Sequence, residues 1–250
     1  MAYNSNKLEG NTLTSDQTAS LFDTNTIYAS NETIRAKDIE EMHGHFFIFY
    51  DMLKTLDLPL SEPLIKAFHY RLKAGSFDDY ANGYIAGEYK KISNICNNLA
   101  TLKPREVPDS MESLLTSYNR KPTHTIMDFA RFHADFEKIN PFQNANGQVN
   151  RIILFKESLR AEQIPIMINA DKKLGYYHAL RTAQTDKNFD ELCDLFKESQ
   201  IGYFSILQDF LYEYERPQPV SIDELLKAAA AELVPGTSTD NHDNHNLDER

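Results

Sequence analysis

The stretch Ile139-Asn140-Pro141-Phe142-Gln143-Asn144-Ala145-Asn146-Gly147-Gln148-Val149-Asn150-Arg151 has the build of a loop that holds a phosphate and opens a helix. Asn140-Pro141-Phe142 ends one helical region, and Gly147 opens the next. Free backbone N–H groups at such a start, with the positive end of the helix dipole, make an anion site. Arg151, one turn in, would point a fork of donors back toward the same place. The loop lacks the residues that would do chemistry on a phosphate. A plain turn between two core helices, with Arg151 in a surface ion pair, is the alternative.

The elements that must position this loop read as helices. Apolar residues recur at spacings of three and four, which predicts helices near 31–57, 61–74, 108–119, 125–139, 147–162, 171–184, 188–214 and 222–233. Start signals stand at Asn31, Ser61 ahead of Pro63, Thr125, Asp171, Asn188 with Glu191, and Ser221 with Glu224. The helix after Asn146 carries Val149, Ile152, Ile153, Leu154, Phe155 and Leu159, apolar round most of its circumference, so it is expected at the centre of the core. The fold class is mainly α. One exception is expected at Asn82 to Ile92, where Asn82-Gly83 and Gly87 flank short β-prone pieces and suggest a small β-hairpin.

Composition bounds the function classes. A 41% hydrophobic chain with nine Gly and ten Pro suits a soluble globular protein, and no apolar run is long enough to span a membrane. The first residues have neither a basic start nor an apolar core, so the expected location is cytoplasmic. A net charge of −11 argues against nucleic acid or an anionic membrane as partner. Between Ser221 and Arg250, seven acids against Lys227 and Arg250 account for −5 of it. Residues 216–250 are therefore expected to hold one helix and a disordered acidic tail, whose Asn-His-Asp-Asn-His-Asn run is read as solvated rather than metal-binding. Cys96 and Cys193 are expected to be reduced thiols. The division is an N-terminal segment over 1–30, a helical domain over 31–215 and the tail.

The loop and its surroundings resemble the Fic family, whose members mostly transfer AMP from ATP to a hydroxyl of a target protein. The family motif, His-Pro-Phe-x-(Asp/Glu)-Gly-Asn-Gly-Arg-x-x-Arg, lies over Asn140 to Arg151. The flanking FARFHADFEKI and RIILFKESL, the upstream GEYKKISN and the downstream YYHAL extend the likeness from about Asn4 to about Leu211. The fold implied is the Fic helical bundle with a small β-hairpin flap. Four positions depart from the motif. Asn140 stands where the family has its general base, and an amide takes no proton near neutral pH, a loss worth about 10²- to 10⁴-fold in rate. Asn144 replaces the acid that binds Mg²⁺, an ion that favours carboxylate and phosphate oxygen. Gln148 removes a fixed positive charge. Ala145 adds a Cβ where the family has Gly, at a cost of about 1 kcal/mol if φ is positive.

The resemblance also implies roles for what remains. Asn144, Ala145, Asn146, Gly147, Gln148 and Arg151 would line a nucleotide site with Tyr176 and Tyr177, and Gln184 stands where relatives have an Asn near the adenine. Ser5-Asn6-Lys7-Leu8-Glu9-Gly10 fits the family's inhibitory-helix pattern, with Ser5, Glu9 and Gly10 at its fixed positions, and implies a Glu9–Arg151 pair. The flap implies a docking strand for a target protein, with Tyr84, Ile85, Tyr89, Lys90 and Lys91 as contact residues. The reading that follows is a pseudoenzyme with no intact catalytic residue, acting through a protein partner or a bound nucleotide, ATP or ADP. ATP with Mg would be a cofactor only if family activity persists. The alternatives are a slow adenylyltransferase, autoinhibited by Glu9, that takes its base from elsewhere, and a regulatory domain that occupies an active relative's partners. His133, the histidine nearest in sequence to the loop, is expected to fill core space.

Overall fold

The computed structural model describes residues 1–28, 33–96 and 99–215. The chain runs α1 (Ala2–Leu8), α2 (Ser15–Thr24), α3 (Ala36–Lys54), α4 (Glu62–Lys73), α5 (Phe77–Asn82), β1 (Ile95–Cys96), β2 (Leu99–Ala100), α6 (Val107–Asn119), α7 (Ile126–Ile139), α8 (Asn146–Arg160), α9 (Lys173–Thr185) and α10 (Asp190–Glu215). Residues 1–206 form one compact unit, which carries everything described below; of a second unit that starts at Leu207, the described part is the end of α10. No described helix is long and apolar enough to cross a membrane.

The fold is organised around α8. Every residue from Gln148 to Ser158 is buried, as its all-round apolar pattern predicts. Helices α3, α4 and α7 pack on it, and α1 joins them from the N-terminal side. Burial so complete extends even to Lys156, whose Nζ donates to Leu56 O at 3.1 Å, Leu58 O at 2.5 Å and Glu157 Oε1 at 3.0 Å. An ammonium is tolerated in a core only when its donors are taken up in this way. Cys193 is a free, buried cysteine.

Side-chain caps mark several helix starts. Ser61 accepts from Leu64 N, with Pro63 in the first turn. Thr125 and Asp128 cap α7 reciprocally. Helix α2, which the apolar spacing does not reveal, starts on a reciprocal cap between Thr14 and Gln17. Helix α5 is likewise absent from the periodicity, because at six residues it is too short to show one. Two expected starts are corrected. Helix α3 begins at Ala36 behind Arg35, and Asp171 lies in a 3₁₀ turn, Ala170–Lys172, so that Lys172 precedes α9. Asn31, the helix expected at 222–233 and the tail after it lie outside the described residues.

The hairpin expected at 82–92 is not there. Asn82-Gly83 ends α5, with Gly83 at φ 69° as its left-handed cap. The residues that follow are pinned as turns: Gly87 N donates to His69 Nδ1 at 2.9 Å, and Lys90 N donates to Pro141 O at 2.8 Å. Strand pairing occurs later, with Ile95 opposite Ala100 and Cys96 opposite Leu99 in an antiparallel pair. Asn-Gly signals a hairpin only when extended residues flank it, and here a helix precedes it.

Helices α3 and α4 meet at Gly44, where a Cβ would strike the backbone carbonyl of Leu72. We therefore expect Gly44→Ala to destabilise the protein by about 1–3 kcal/mol, since backbone cannot yield cheaply. Gly202→Ala, inside α10 with open space around it, should instead stabilise by up to about 1 kcal/mol. Thermal melts of the two variants check the pair: they should shift in opposite directions.

Candidate functional site

The loop between α7 and α8 is built on two left-handed residues. Asn140 closes α7 at φ 50°, and Ala145 precedes α8 at φ 55°. Ala145 thus carries the strain its Cβ implies, about 1 kcal/mol. The turn is held by amides. Asn146 Oδ1 accepts from Phe142 N at 2.8 Å, and its Nδ2 donates to Phe142 O and Asn140 Oδ1, each at 2.9 Å. Asn94 Nδ2 donates to the same Asn140 oxygen at 2.8 Å. Gln143 clasps the backbone of Ile92 through both ends of its side chain. These bonds fix the geometry of the loop and engage the side chains of Asn140, Gln143 and Asn146.

Beside the loop lies a cleft of about 210 Å³. It is lined by Asn140, Asn144, Ala145, Asn146 and Gly147 from the loop, Glu9 from the residue after α1, Glu137 from α7, Arg151 from α8, and Tyr176 and Tyr177 from α9, with Asn94, Ile95 and Gln143 at its edge. Nine of the residues singled out in the sequence converge here. Of the others expected at the nucleotide site or in the inhibitory pattern, four do not line the cleft. Gln148 is buried, its Nε2 donating to Asn6 Oδ1 at 2.6 Å. Gln184 donates to Ala134 O at 3.2 Å on α7. Ser5 lies behind Arg151, and Gly10 accepts from Arg35 Nη2 through its carbonyl at 2.8 Å.

Arg151 is the only cation among the cleft-lining residues, and α1 takes hold of it. Its Nη2 donates to Glu9 Oε1 at 2.6 Å and to Ser5 O at 3.0 Å, while Nε donates to Ser5 Oγ at 2.9 Å. The guanidinium is 3% exposed and Glu9 35%. Burial opposes the charge, but the Glu9 carboxylate together with Tyr176 and Tyr177 outweighs it, and the Arg151 pKa is raised. Gly147 makes this approach possible: a Cβ there would lie 2.5 Å from Glu9 Oε1 and 2.8 Å from Arg151 Nη1. The Glu9 carboxylate therefore occupies the space at the N-terminus of α8 that a phosphate would seek.

The remaining polar groups are neutral or nearly so. Asn144 Nδ2 turns to Asp79 Oδ1 at 2.5 Å. Glu137, which nothing in the sequence singles out, is buried, and burial pushes its carboxyl up to about 7 against the bond from Asn150 Nδ2 and the charge of Arg151. His133 is sequestered in the core: it bonds Tyr176 OH at 2.7 Å, and burial lowers its pKa to about 3. Tyr177 OH donates to Leu8 O at 3.4 Å.

Tyr84, Ile85, Tyr89 and Lys91 surround a neighbouring cavity of about 150 Å³. Ile85 and Lys91 are exposed, and Tyr89 is half-buried beneath Lys66 Nζ, which lies 4.3 Å from its ring centre. The expectation for Lys90 is corrected. Its side chain is buried, with Nζ donating to Asn94 Oδ1 at 2.9 Å, Thr101 Oγ1 at 2.7 Å and Ile139 O at 3.1 Å. It ties residues 90–101 to the end of α7, so replacing it would test folding and not docking. The adjacent Lys91 gives no sign of this difference in the sequence, because nothing but tertiary packing separates the two.

Residues 59–157 match the model of the Fic/DOC family. Proteins described as protein adenylyltransferase Fic from Drosophila melanogaster and Drosophila virilis are each 26% identical over 189 residues, which is 72% of this chain. The chain spans little more than a third of their length, 36% and 37%. Among solved structures, a Fic domain containing signaling protein from Bacteroides thetaiotaomicron matches with a TM-score of 0.66 at 23% identity, over 83% of this chain and 80% of that one. Fic-1 from C. elegans matches with a TM-score of 0.71 at 17% identity, over 85% and 63%.

Two outcomes are expected from the ionisable groups. Glu9→Ala leaves a buried guanidinium without its counter-charge and should destabilise by about 1–3 kcal/mol, visible as a lower melting temperature. For Glu137, whose folded pKa lies above its unfolded value of 4.5, the folded state holds the proton more tightly. Its contribution is then most favourable below pH 4.5 and is lost as pH rises toward 7, on the order of 3 kcal/mol in full. The stability of Glu137→Gln relative to the natural protein should accordingly rise between pH 5 and 8 in denaturant titrations.

Proposed function

The chain carries a Fic domain, and from that premise we propose that it has given up AMP transfer and acts by binding, through a protein partner or a nucleotide. The observation that carries this reading is Asn140. It stands at the position of the family's base, and its one acceptor, Oδ1, already receives bonds from Asn94 and Asn146. No proton of an attacking hydroxyl has anywhere to go on that side chain. No histidine is among the residues lining the cleft that could take its place.

The residues present do not fit a magnesium triphosphate. Asn144 offers no carboxylate and is turned toward Asp79. Gln148 supplies no charge, and its amide is spent on Asn6 in α1. Arg151 is held by Glu9 and Ser5. A site for a group of charge near −4 would be expected to present free cations, whereas this one presents two carboxyl groups and one neutralised guanidinium. The Glu9–Arg151 contact then serves chiefly to fasten α1. Docking of a target protein along Tyr84, Ile85, Tyr89 and Lys91 is the family role that these substitutions leave untouched, and ATP or ADP without metal is the nucleotide ligand to consider.

One observation favours a second reading. Glu137 lines the cleft with a carboxyl poised near pH 7, the range a general base needs. A slow adenylyltransferase, restrained by Glu9, would draw on that group.

Incubation with labelled ATP, Mg²⁺ and cell extract separates the two. The binding reading expects no incorporation by the natural protein or by Asn140→His alone, because metal and phosphate positioning are also impaired. Combining Asn140→His, Asn144→Asp, Ala145→Gly and Gln148→Arg with Glu9→Gly should restore some labelling. Incorporation by the unaltered chain that disappears in Glu137→Gln would overturn the first reading in favour of the second.

A further inference from the structure

Helix α5 is built inside out. It buries Asp79, at 4% exposure, and leaves Phe77 and Tyr80 in solvent at 68% and 85%. Buried carboxylates and exposed large rings both run against the usual partition, and together they are informative. Phe77 and Tyr80 face a pocket of about 450 Å³, completed by Tyr70 near the end of α4, by Tyr84 and Ala86, and by residues 73–76 of the intervening turn. Four aromatic side chains therefore surround one concavity on the flank of the domain, outside the cleft described above.

Asp79 and Lys73 also line this pocket. Asp79 Oδ1 accepts from Asn144 Nδ2 at 2.5 Å, and Lys73 Nζ lies 3.5 Å from the same oxygen. Asp79 Oδ2 is buried and has no hydrogen-bond partner among the described residues. A buried acceptor left without a donor costs about 1–3 kcal/mol, so a donor from outside has something to gain by reaching it.

These features select the chemistry of an occupant. Lys73 and Asp79 cancel, so the pocket has no net charge with which to draw a cation or an anion. The rings favour an aromatic body by stacked or edge contacts. The orphan oxygen asks for one N–H or O–H. We propose that the pocket takes the side chain of a tryptophan or tyrosine presented by a protein partner, with the ring among Tyr70, Phe77, Tyr80 and Tyr84 and its polar hydrogen donated to Asp79 Oδ2. Aromatic residues with a polar tip are the usual anchors of protein interfaces. The chain itself contains no tryptophan, and residues 216–250 contain no aromatic residue at all, so that segment cannot fill the pocket in this way. The inference uses nothing from the reading of the cleft.

The test is a titration of the isotope-labelled full chain with N-acetyl-tryptophanamide, followed by amide resonances up to about 20 mM, the range suited to a single anchoring side chain with a Kd on the order of millimolar. Saturable shifts confined to residues 70–86 are expected. The Tyr80→Ala protein, altered at an exposed wall, should bind at least about fivefold more weakly, and the probe methylated on the indole nitrogen about tenfold more weakly with the natural protein. Shifts that are absent or scattered over the surface would overturn the proposal. Equal binding of the methylated probe would overturn the role of Asp79 and with it the class of occupant.

Discussion

Burial of one guanidinium constrains the rest of this site. Arg151 projects from the central helix of the fold, where water cannot reach it, and a buried cation must be matched by donors' partners and by charge. Ser5 and Glu9 supply both. Because Ser5 lies in α1 and Glu9 directly follows it, α1 has to sit against the start of α8. Because Glu9 reaches so far in, a Cβ at residue 147 would press on Glu9 Oε1 and Arg151 Nη1 and displace them. The position of α1 is then reinforced by Asn6, which accepts from Gln148, and by Asp38, which takes bonds from Thr12 and Arg35 just beyond it. In this structure Arg151 is the post to which the N-terminal segment is tied.

The same logic runs through the loop. Where the Fic motif places charged or titratable groups, this chain has amides, and the structure uses them as amides: Asn140 accepts from Asn94 and Asn146, Asn144 donates to Asp79, and Gln148 donates to Asn6. Asn140, Asn146 and Asn94 form one connected set, extended by Lys90 to the end of α7 and by Gln143 to Ile92. A network of this kind holds a backbone well when every member is satisfied, and it leaves few groups free for a reacting atom.

The legibility of all this in the sequence was uneven for physical reasons. Helices α7 and α8 could be read directly, since their apolar faces are long and Thr125 marks a start. The Glu9–Arg151 contact was visible only through the family pattern, because nothing local links residues 142 positions apart. Helix α2 is hidden despite a good cap because it is short and buries only Thr18 and Leu21. Asn82-Gly83 misled because the same dipeptide serves a hairpin turn and a helix end, and only the preceding residues decide which. Lys90 and Lys91 look alike in a sequence, yet one is a buried brace and the other is exposed. Asp79 could not have been found at all: an acid in the first turn of a short helix is ordinarily a solvated dipole partner, and its burial depends on Asn144, far along the chain.

Calorimetric titration of ATP with and without Mg²⁺ decides whether the cleft takes a magnesium triphosphate, which the proposed binding role excludes. With no carboxylate at Asn144 and Arg151 already engaged, the metal has nothing to add, and the account predicts that Mg²⁺ leaves the ATP titration unchanged. Binding that appears only with Mg²⁺, or tightens about tenfold when it is added, would contradict it.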